Sequence, residues 1–283
     1  MLKQIGVVTS TYGHYTLEYA LSSIAAAGFC NAELWAASPH YCYADYTLPE
    51  RQQRREEIAA LLKQNGLSMP VLYPEQMNKY ALNIAAAAPY TKTFSMDRIL
   101  EYIDDAKFWG AQSMLLGTGW HHLDDPGPEK YQRSVAAIRQ AAEYAAGQGI
   151  TLLIEPAAPQ TGTFAWDLGS LVRLLKDVDR ENVKACLDLS SILDGTDRVE
   201  RWYKMLEGNV GHIHFADKGG RAPEDGGVLL MDELEQLERL GYNGTASVNI
   251  TFRDCCLVPD RQIFLCGQWL KERGLIGRQE RDK

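Results

Sequence analysis

Eight short apolar runs, each followed by a segment with helical spacing, limit the possible folds of this chain more than any other feature. The runs are residues 5–9, 31–35, 69–73, 112–117, 151–155, 183–188, 209–215 and 245–249. Helices are predicted at about 50–64, 128–147, 168–178, 198–206, 232–240 and 261–270, and apolar residues at helical spacing mark two more, after the first strand and before the fourth. This alternation predicts a single-domain α/β fold over residues 1–283, the (β/α)8 TIM barrel, with its active site at the C-terminal ends of the strands.

A doubly wound open sheet is the alternative architecture for alternating strands and helices. The first strand-to-helix turn lacks the G-x-G-x-x-G pattern of dinucleotide sites, and no G-x-x-x-x-G-K-[ST] sequence occurs in the chain. The loops after the second, third and fourth strands are long. We therefore expect them to form the wall of a substrate pocket at one mouth of a barrel.

Charge and cysteine content exclude several classes of protein. The chain has 37 acidic and 29 basic residues, a formal charge of −8 and no basic stripe, which disfavours nucleic acid as a partner. Its six cysteines form no C-x-x-C pair and no disulfide framework, as expected for reduced thiols in a cytoplasmic protein. No apolar run approaches the roughly 18 residues of a membrane span, and the N-terminus enters a strand directly.

Four consecutive strands each end in a residue that can bind a metal ion: Glu155, Asp188, His214 and Asn249. In a barrel, the ends of the fifth to eighth strands surround one quarter of the mouth and can reach one point. Carboxylates and a neutral imidazole suit a divalent cation, and two carboxylates neutralise its charge. Each residue alone could cap a helix or hold a loop, but the series predicts one bound ion, with Mn²⁺ first and Mg²⁺, Co²⁺ or Zn²⁺ as alternatives.

Aromatic and polar residues on the expected mouth loops are candidates for contacting a carbohydrate, because aromatic rings pack on sugar C–H faces and histidines donate to hydroxyls. These candidates are Trp35, His40, Trp120, His121, Asp217 and Arg221. Of the adjacent His121 and His122, only one can face inward, and we assign His121 to the inside. The two tryptophans could equally fill the barrel rim, and Asp217 could be a solvated loop residue. His212 lies on the same strand face as His214 but deeper, so we expect it to pack in the core or support the ligands.

The sequence resembles the xylose-isomerase-like superfamily of metal-dependent sugar isomerases and epimerases, and within it the ketohexose 3-epimerases of the fructoselysine 3-epimerase type. The motifs that carry the resemblance are Glu33-Leu-Trp35, Pro39-His40, Tyr73-Pro-Glu75 with Asn78, Leu153-Ile-Glu-Pro156, Asp188, His212-Ile-His214 with Asp217, and Gly241-Tyr-Asn-Gly244. The resemblance implies that Glu75 contacts substrate. It also implies an enediolate mechanism in which two carboxylates on opposite faces of a sugar carbon exchange its proton, Glu155 being one of them. Family members are often dimers or tetramers, which makes a homo-oligomer the expectation by analogy.

Asn249 departs from this family pattern, because the last metal ligand there is a glutamate. An amide can coordinate a cation through its oxygen but cannot accept a proton at neutral pH. Three outcomes are open: Glu75, Asp217 or Asp254 supplies a second base; a one-base isomerase, lyase or dehydratase reaction has replaced epimerisation; or the protein binds a sugar without converting it. We predict an isomerase or epimerase first, with a lyase acting on a keto-sugar or ketoglycoside, or a sugar-binding pseudoenzyme, as the alternatives. The superfamily's endonuclease activity is disfavoured by the acidic charge.

Overall fold

The computed structural model describes residues 4–76, 82–125, 127–195, 197–223, 228–252 and 256–277. Eight parallel strands form a closed barrel in sequence order, and the first strand pairs with the last. The strands are β1 Gln4–Val8, β2 Asn31–Ala36, β3 Val71–Pro74, β4 Ser113–Leu115, β5 Thr151–Ile154, β6 Val183–Asp188, β7 Val210–Phe215 and β8 Thr245–Val248. The predicted (β/α)8 architecture is confirmed, and the open doubly wound sheet is excluded by the β1–β8 pairing.

Nine α-helices lie in the part of the chain that the structure describes. They are α1 Leu17–Ala26, α2 Leu48–Gln64, α3 Pro89–Phe108, α4 Pro128–Gln148, α5 Leu168–Val178, α6 Leu189–Asp194, α7 Val199–Met205, α8 Val228–Arg239 and α9 Pro259–Glu272. The sequence pattern predicted eight, and the additional one is α6, which begins directly after the strand that ends in Asp188. A helix of six residues is too short to show a helical period.

Local sequence sets several of the helix boundaries. Thr47 and Glu50 form a reciprocal capping box that starts α2. Gly149 ends α4 in the left-handed conformation, with φ of 75°, which a glycine adopts without steric cost. These signals fix the start of α2 and the end of α4, and so help to set the lengths of the adjoining loops.

The strands are buried on both faces, as expected for a parallel barrel. Outward residues pack against the helices in the main hydrophobic core. A second, smaller cluster fills the barrel interior and consists of Val71, Leu115, Leu153 and Cys186, with Tyr73 packed against it. Because side chains alternate along a strand, Glu33, Asp188, His212 and His214 share the inward face with this cluster.

The segments that follow β2, β3 and β4 are the long ones predicted to wall the pocket: residues 37–47, 75–88 and 116–127 separate these strands from the next α-helix. The described residues of these segments lie at the C-terminal ends of the strands, where barrel active sites are built. Among the described helices, none is both long and apolar enough to cross a membrane.

Candidate metal centre

Glu33 is a fully buried carboxylate in the middle of β2, and it accepts one hydrogen bond from each of two histidines of β7. Its Oε2 lies 3.0 Å from Nε2 of His212, and its Oε1 lies 2.9 Å from Nε2 of His214. Burial alone would raise the pKa of Glu33, but the two imidazoles hold it well below its usual value. Glu33 is therefore ionised and fixes both rings.

His212 is held as a neutral imidazole. Its Nδ1 lies 2.6 Å from the hydroxyl of Thr245, and burial lowers its pKa although Glu33 opposes that shift. If Nε2–H donates to Glu33, Nδ1 must accept from Thr245. Both ring nitrogens are thus engaged with protein groups, which agrees with the supporting role predicted for this deeper histidine.

His214 lies between two carboxylates. Nε2 faces Glu33, and Nδ1 lies 2.7 Å from Oε1 of Glu155 at the end of β5. Burial opposes protonation of His214, but Cys186, Glu33 and Glu155 together raise its pKa well above the ordinary value. Since Glu33 fixes the proton on Nε2, the position between Nδ1 and Glu155 can hold either a second proton or a cation. This arrangement matches the carboxylate–histidine pair that commonly supports a metal ligand.

Two groups of ligand atoms among the described residues are close enough to hold a metal ion. One is Glu33, His212 and His214, and the other is Glu155, Cys186 and His214, with the ligand atoms of each group all within 4.8 Å of one another. In the first group the contacts are hydrogen bonds at 2.9 and 3.0 Å in a fully buried position. In the second group, the predicted ligands Glu155 and His214 lie at the strand ends, and Cys186 lies one layer deeper on β6.

The two other predicted ligands lie at the same rim. Asp188 ends β6 and caps α6, because its Oδ1 accepts from the hydroxyl of Ser190 at 2.7 Å and the backbone N–H of Ser191 at 3.1 Å. Burial and the nearby charge of Glu155 raise its pKa. Asn249, directly after β8, is buried, and its backbone N–H donates to the carbonyl of Phe215. Coordination by Asp188 and Asn249 stays a prediction.

Ser247 supplies an independent sign that the interior accepts a bound species. It is fully buried on β8, in register with His214 on β7, and its hydroxyl has no hydrogen-bond partner among the described residues. Buried polar groups are rarely left unsatisfied, and water or a ligand is the usual partner of such an exception. Glu155, His214 and Cys186 offer oxygen, nitrogen and sulfur atoms of the kinds that bind a divalent cation, and this hydroxyl lies on the strand next to His214.

A cavity of about 220 Å³ opens beside Glu155. Its wall includes Tyr73, Glu75, Thr118, Thr161 and Thr163. The ring of Tyr73 stacks on His214, with the ring centres 5.7 Å apart. A small compartment that places Glu155 beside Glu75 and three threonines suits a molecule of sugar size.

The aromatic and histidine residues predicted to contact a sugar have different surroundings in the structure. Trp35 lies on the inward face of β2 at the rim, edge-on to His40. His40 is fully buried, with Nδ1 3.1 Å from Thr9 Oγ1 and Nε2 3.1 Å from the carbonyl of Tyr12, so its observed contacts hold the loop in place. Trp120 is half-buried, and His121 packs on Phe164 while His122 is exposed. Substrate binding by these residues stays a prediction.

Asp217 and Arg221 lie in the turn that follows β7. The backbone N–H of Asp217 donates to the carbonyl of Arg221, and the guanidinium of Arg221 stacks on Phe252 at 4.0 Å from the ring centre. The structure does not bring either residue into the two metal-binding groups. Asn78 and Asp254, which the sequence suggested as a motif residue and a second base, lie outside the described residues.

Two residues of this centre had no role assigned from sequence. Glu33 appeared only as part of a family motif, although a glutamate inside an apolar strand must find a partner if it is buried. Cys186 lies two residues before Asp188 and therefore on the same strand face, which was the available signal.

Comparison with known proteins gives the same architecture. The family model described as the Xylose isomerase-like TIM barrel matches residues 21–271. A fructoselysine 3-epimerase of Shigella flexneri is 22% identical over 251 residues, covering 87% of this chain and 89% of that protein.

Two solved structures share the fold. The D-psicose 3-epimerase with D-tagatose from Clostridium cellulolyticum H10 superimposes with a TM-score of 0.77 at 17% identity, covering 97% of this chain and 100% of that one. An AP endonuclease, family 2, from Brucella melitensis superimposes with a TM-score of 0.75 at 22% identity, covering 96% of this chain and 99% of the other. At such identities the superpositions show the fold alone, whereas the family model spans most of the sequence. This chain belongs to the Xylose isomerase-like TIM barrel family.

Proposed function

We propose that this protein is a divalent-metal-dependent sugar isomerase or epimerase that moves a proton at the carbon next to a carbonyl group. The observation that carries the proposal is the position of His214. Glu33 holds its Nε2 at 2.9 Å, which turns Nδ1 toward Glu155 in the wall of the cavity. A ring fixed by a buried carboxylate on one side and open to a second carboxylate on the other is suited to bind a cation.

The cation would be held by Glu155 and His214, with Asp188 and Asn249 completing the site. When bound, it would polarise the carbonyl and hydroxyl oxygens of the sugar and lower the cost of negative charge on them. Asp188 also caps α6, so its carboxylate is fixed relative to the strand end. Asn249 would contribute an amide oxygen without charge.

Glu155 would act as the base, because its carboxylate lies at the junction of the ligand group and the cavity. Removal of the C–H proton by Glu155 would convert the ketose to an enediolate. Return of that proton to the neighbouring carbon, together with transfer of the hydroxyl proton from one enediolate oxygen to the other, would give isomerisation. Epimerisation requires a proton to be delivered to the opposite face. Glu75 follows β3 and lines the same cavity, and the end of β4 lies between it and Glu155. We assign delivery of the proton to the opposite face to Glu75.

The similarity to fructoselysine 3-epimerase favours a ketose or a ketose derivative as the substrate. The amide at Asn249 favours a second candidate, a lyase or dehydratase on a keto-sugar or ketoglycoside, because such a reaction also begins with one proton removal and requires only one base. A sugar-binding protein without activity is the third outcome. Cytoplasmic location, absence of nucleic acid as a partner and a homo-oligomeric state stay predictions.

The test combines metal content with solvent exchange. Purified wild-type protein and Asp188→Ala are each incubated with Mn²⁺, desalted and analysed for bound metal. Deuterium incorporation next to the carbonyl is then followed by NMR for a panel of free ketoses and a fructosamine. About one equivalent of metal in the wild type, a large loss in the variant and exchange into at least one ketose are expected. Product analysis separates isomerisation and epimerisation from elimination.

A wild-type protein that binds no Mn²⁺, Co²⁺ or Zn²⁺ and exchanges no proton would contradict the proposal. It would favour the third outcome, a sugar-binding protein without activity. Glu143→Gln is the control, because Glu143 is an exposed residue that pairs with Arg180 near the N-terminal end of β6, away from the C-terminal strand ends that carry the site. It should retain the metal content and the exchange rate of the wild type.

A further inference from the structure

The interior face of β6 carries a thiol beneath the proposed metal site. Cys186 is fully buried, and its Sγ lies 3.9 Å from Oε1 of Glu155. The same Glu155 oxygen is 2.7 Å from Nδ1 of His214. A sulfur, an oxygen and a nitrogen atom, each from a different strand, therefore face one small region of the barrel interior.

One ion can bind all three atoms if the gap between Nδ1 and Oε1 widens. Zinc–sulfur and zinc–oxygen bonds are about 2.3 Å and 2.1 Å long, so together they span more than the observed 3.9 Å. The gap between Nδ1 and Oε1 is that of a hydrogen bond, and it must widen to about 3.4 Å for both atoms to bind one tetrahedral cation at about 2.1 Å each. Asp188 lies at the level of His214, and Cys186 lies one layer deeper, at the level of His212.

We propose that Cys186 is a metal ligand and that this site selects a thiophilic divalent cation, Zn²⁺ or Co²⁺, over Mn²⁺ or Mg²⁺. The inference rests on the proposed function for the existence of a bound metal, and it adds the ligand and the class of metal. A thiolate strengthens binding of borderline and soft cations far more than of hard cations. It also adds the negative charge that the neutral amide of Asn249 does not supply.

Coordination is a simple exchange of partners. The S–H bond of Cys186 breaks, its proton passes to solvent, and the sulfur forms a bond to the cation without any change of oxidation state. Each metal ion bound should therefore release at least the thiol proton.

The experiment uses the full-length protein, freed of metal by a chelator, kept reduced and titrated with Co²⁺. Wild-type protein and Cys266→Ser should both develop a sulfur-to-cobalt charge-transfer band in the near ultraviolet. Cys266 is the matched control because it is an equally buried thiol in α9, on the outer ring. Cys186→Ser should bind Co²⁺ without that band, and its affinity for Zn²⁺ should fall by roughly 100-fold while its affinity for Mn²⁺ changes by less than about threefold.

X-ray absorption of the zinc-loaded wild type requires no variant and covers the case in which Cys186→Ser does not fold. One sulfur scatterer at about 2.3 Å is expected. A bound metal with only oxygen and nitrogen neighbours and no charge-transfer band would overturn the thiol ligand and leave the proposed function intact. A band that persists in Cys186→Ser would also overturn it. Failure of the wild type to bind any of these cations would overturn both proposals.

Discussion

The Nε2 atom of His214 lies 2.9 Å from Oε1 of Glu33, and this contact crosses the barrel interior from β7 to β2. The two strands are not neighbours in the sheet, so the contact is made by side chains alone. It leaves Nδ1 of His214 as the ring atom that faces Glu155. The orientation of the proposed metal ligand is thus decided by a residue on a strand that does not adjoin its own.

Replacing Glu33 with glutamine should weaken metal binding without removing any ligand. The amide can accept from one histidine, but its NH₂ group then meets the N–H of the other, so one ring must turn. Loss of such a supporting carboxylate typically lowers metal affinity by about 10- to 100-fold. Isothermal titration with Zn²⁺ and Mn²⁺ measures the change, with Glu143→Gln as the exposed control. An affinity for both cations within about threefold of the wild type would contradict the role assigned to Glu33.

Glu155→Gln separates metal binding from proton transfer. The amide oxygen can still coordinate a cation, but it cannot act as a base, so metal content should remain above half while solvent exchange falls by about 10²- to 10⁴-fold. NMR of the substrate in D₂O, together with elemental analysis of the same sample, gives both quantities. Exchange at the wild-type rate would show that another residue removes the proton.

Asn249→Glu should increase both charge and reactivity at the site. An additional anionic ligand is expected to raise the affinity for Mn²⁺ by roughly 10-fold or more, since affinity for hard cations follows the number of charged ligands. If Asn249 limits the reaction to one face of the substrate, the variant should also form a larger share of epimer relative to isomer. Asn249→Gln is the matched control, because it lengthens the side chain without adding charge. Equal product ratios in the two variants would count against a catalytic role at this position.

A buried charge network outside the site predicts a separate effect on stability. The fully buried Asp105 of α3 accepts from the Tyr41 hydroxyl at 2.6 Å and from Arg51 of α2 at 2.8 Å. Asp105→Ala leaves the Arg51 guanidinium paired with Glu101 but without this buried partner, and we expect the free energy of unfolding to fall by about 3 kcal/mol. Urea denaturation measures the loss.

The control for this prediction is Glu200→Ala, which breaks the exposed pair between Glu200 and Lys204. An exposed ion pair contributes about 0–1 kcal/mol, so the free energy of unfolding of this variant should lie close to that of the wild type. Equal losses in Asp105→Ala and Glu200→Ala would show that the buried network adds nothing beyond a surface pair.

The barrel and part of its site could be predicted from sequence because both follow local patterns. Each strand is an apolar run next to a helical period, and Glu155, Asp188 and His214 occur where such runs end. Residues at strand ends need only the strand assignment to be placed at the barrel mouth. The shared face of His212 and His214 followed equally from the two-residue period of a strand.

The partners of these residues could not be predicted, since no local pattern encodes contacts across the interior. Glu33 lies 179 residues before His212, and nothing in the spacing of the sequence indicates which buried carboxylate a histidine will meet. The short helix α6 was missed for a different reason. Asp188 is both the end of a strand and the cap of that helix, and the first role concealed the second.

The contact between Glu33 and His214 also determines the stage of folding at which the metal centre can form. It joins residues 181 positions apart, and pairings over such distances form late because the intervening chain loses much of its freedom when they close. A nascent chain still emerging from the ribosome without β7 has Glu155 and Cys186 but no oriented imidazole. Cation uptake should therefore mark the completed ring of strands, and during refolding from denaturant it should follow the recovery of helical signal rather than accompany it.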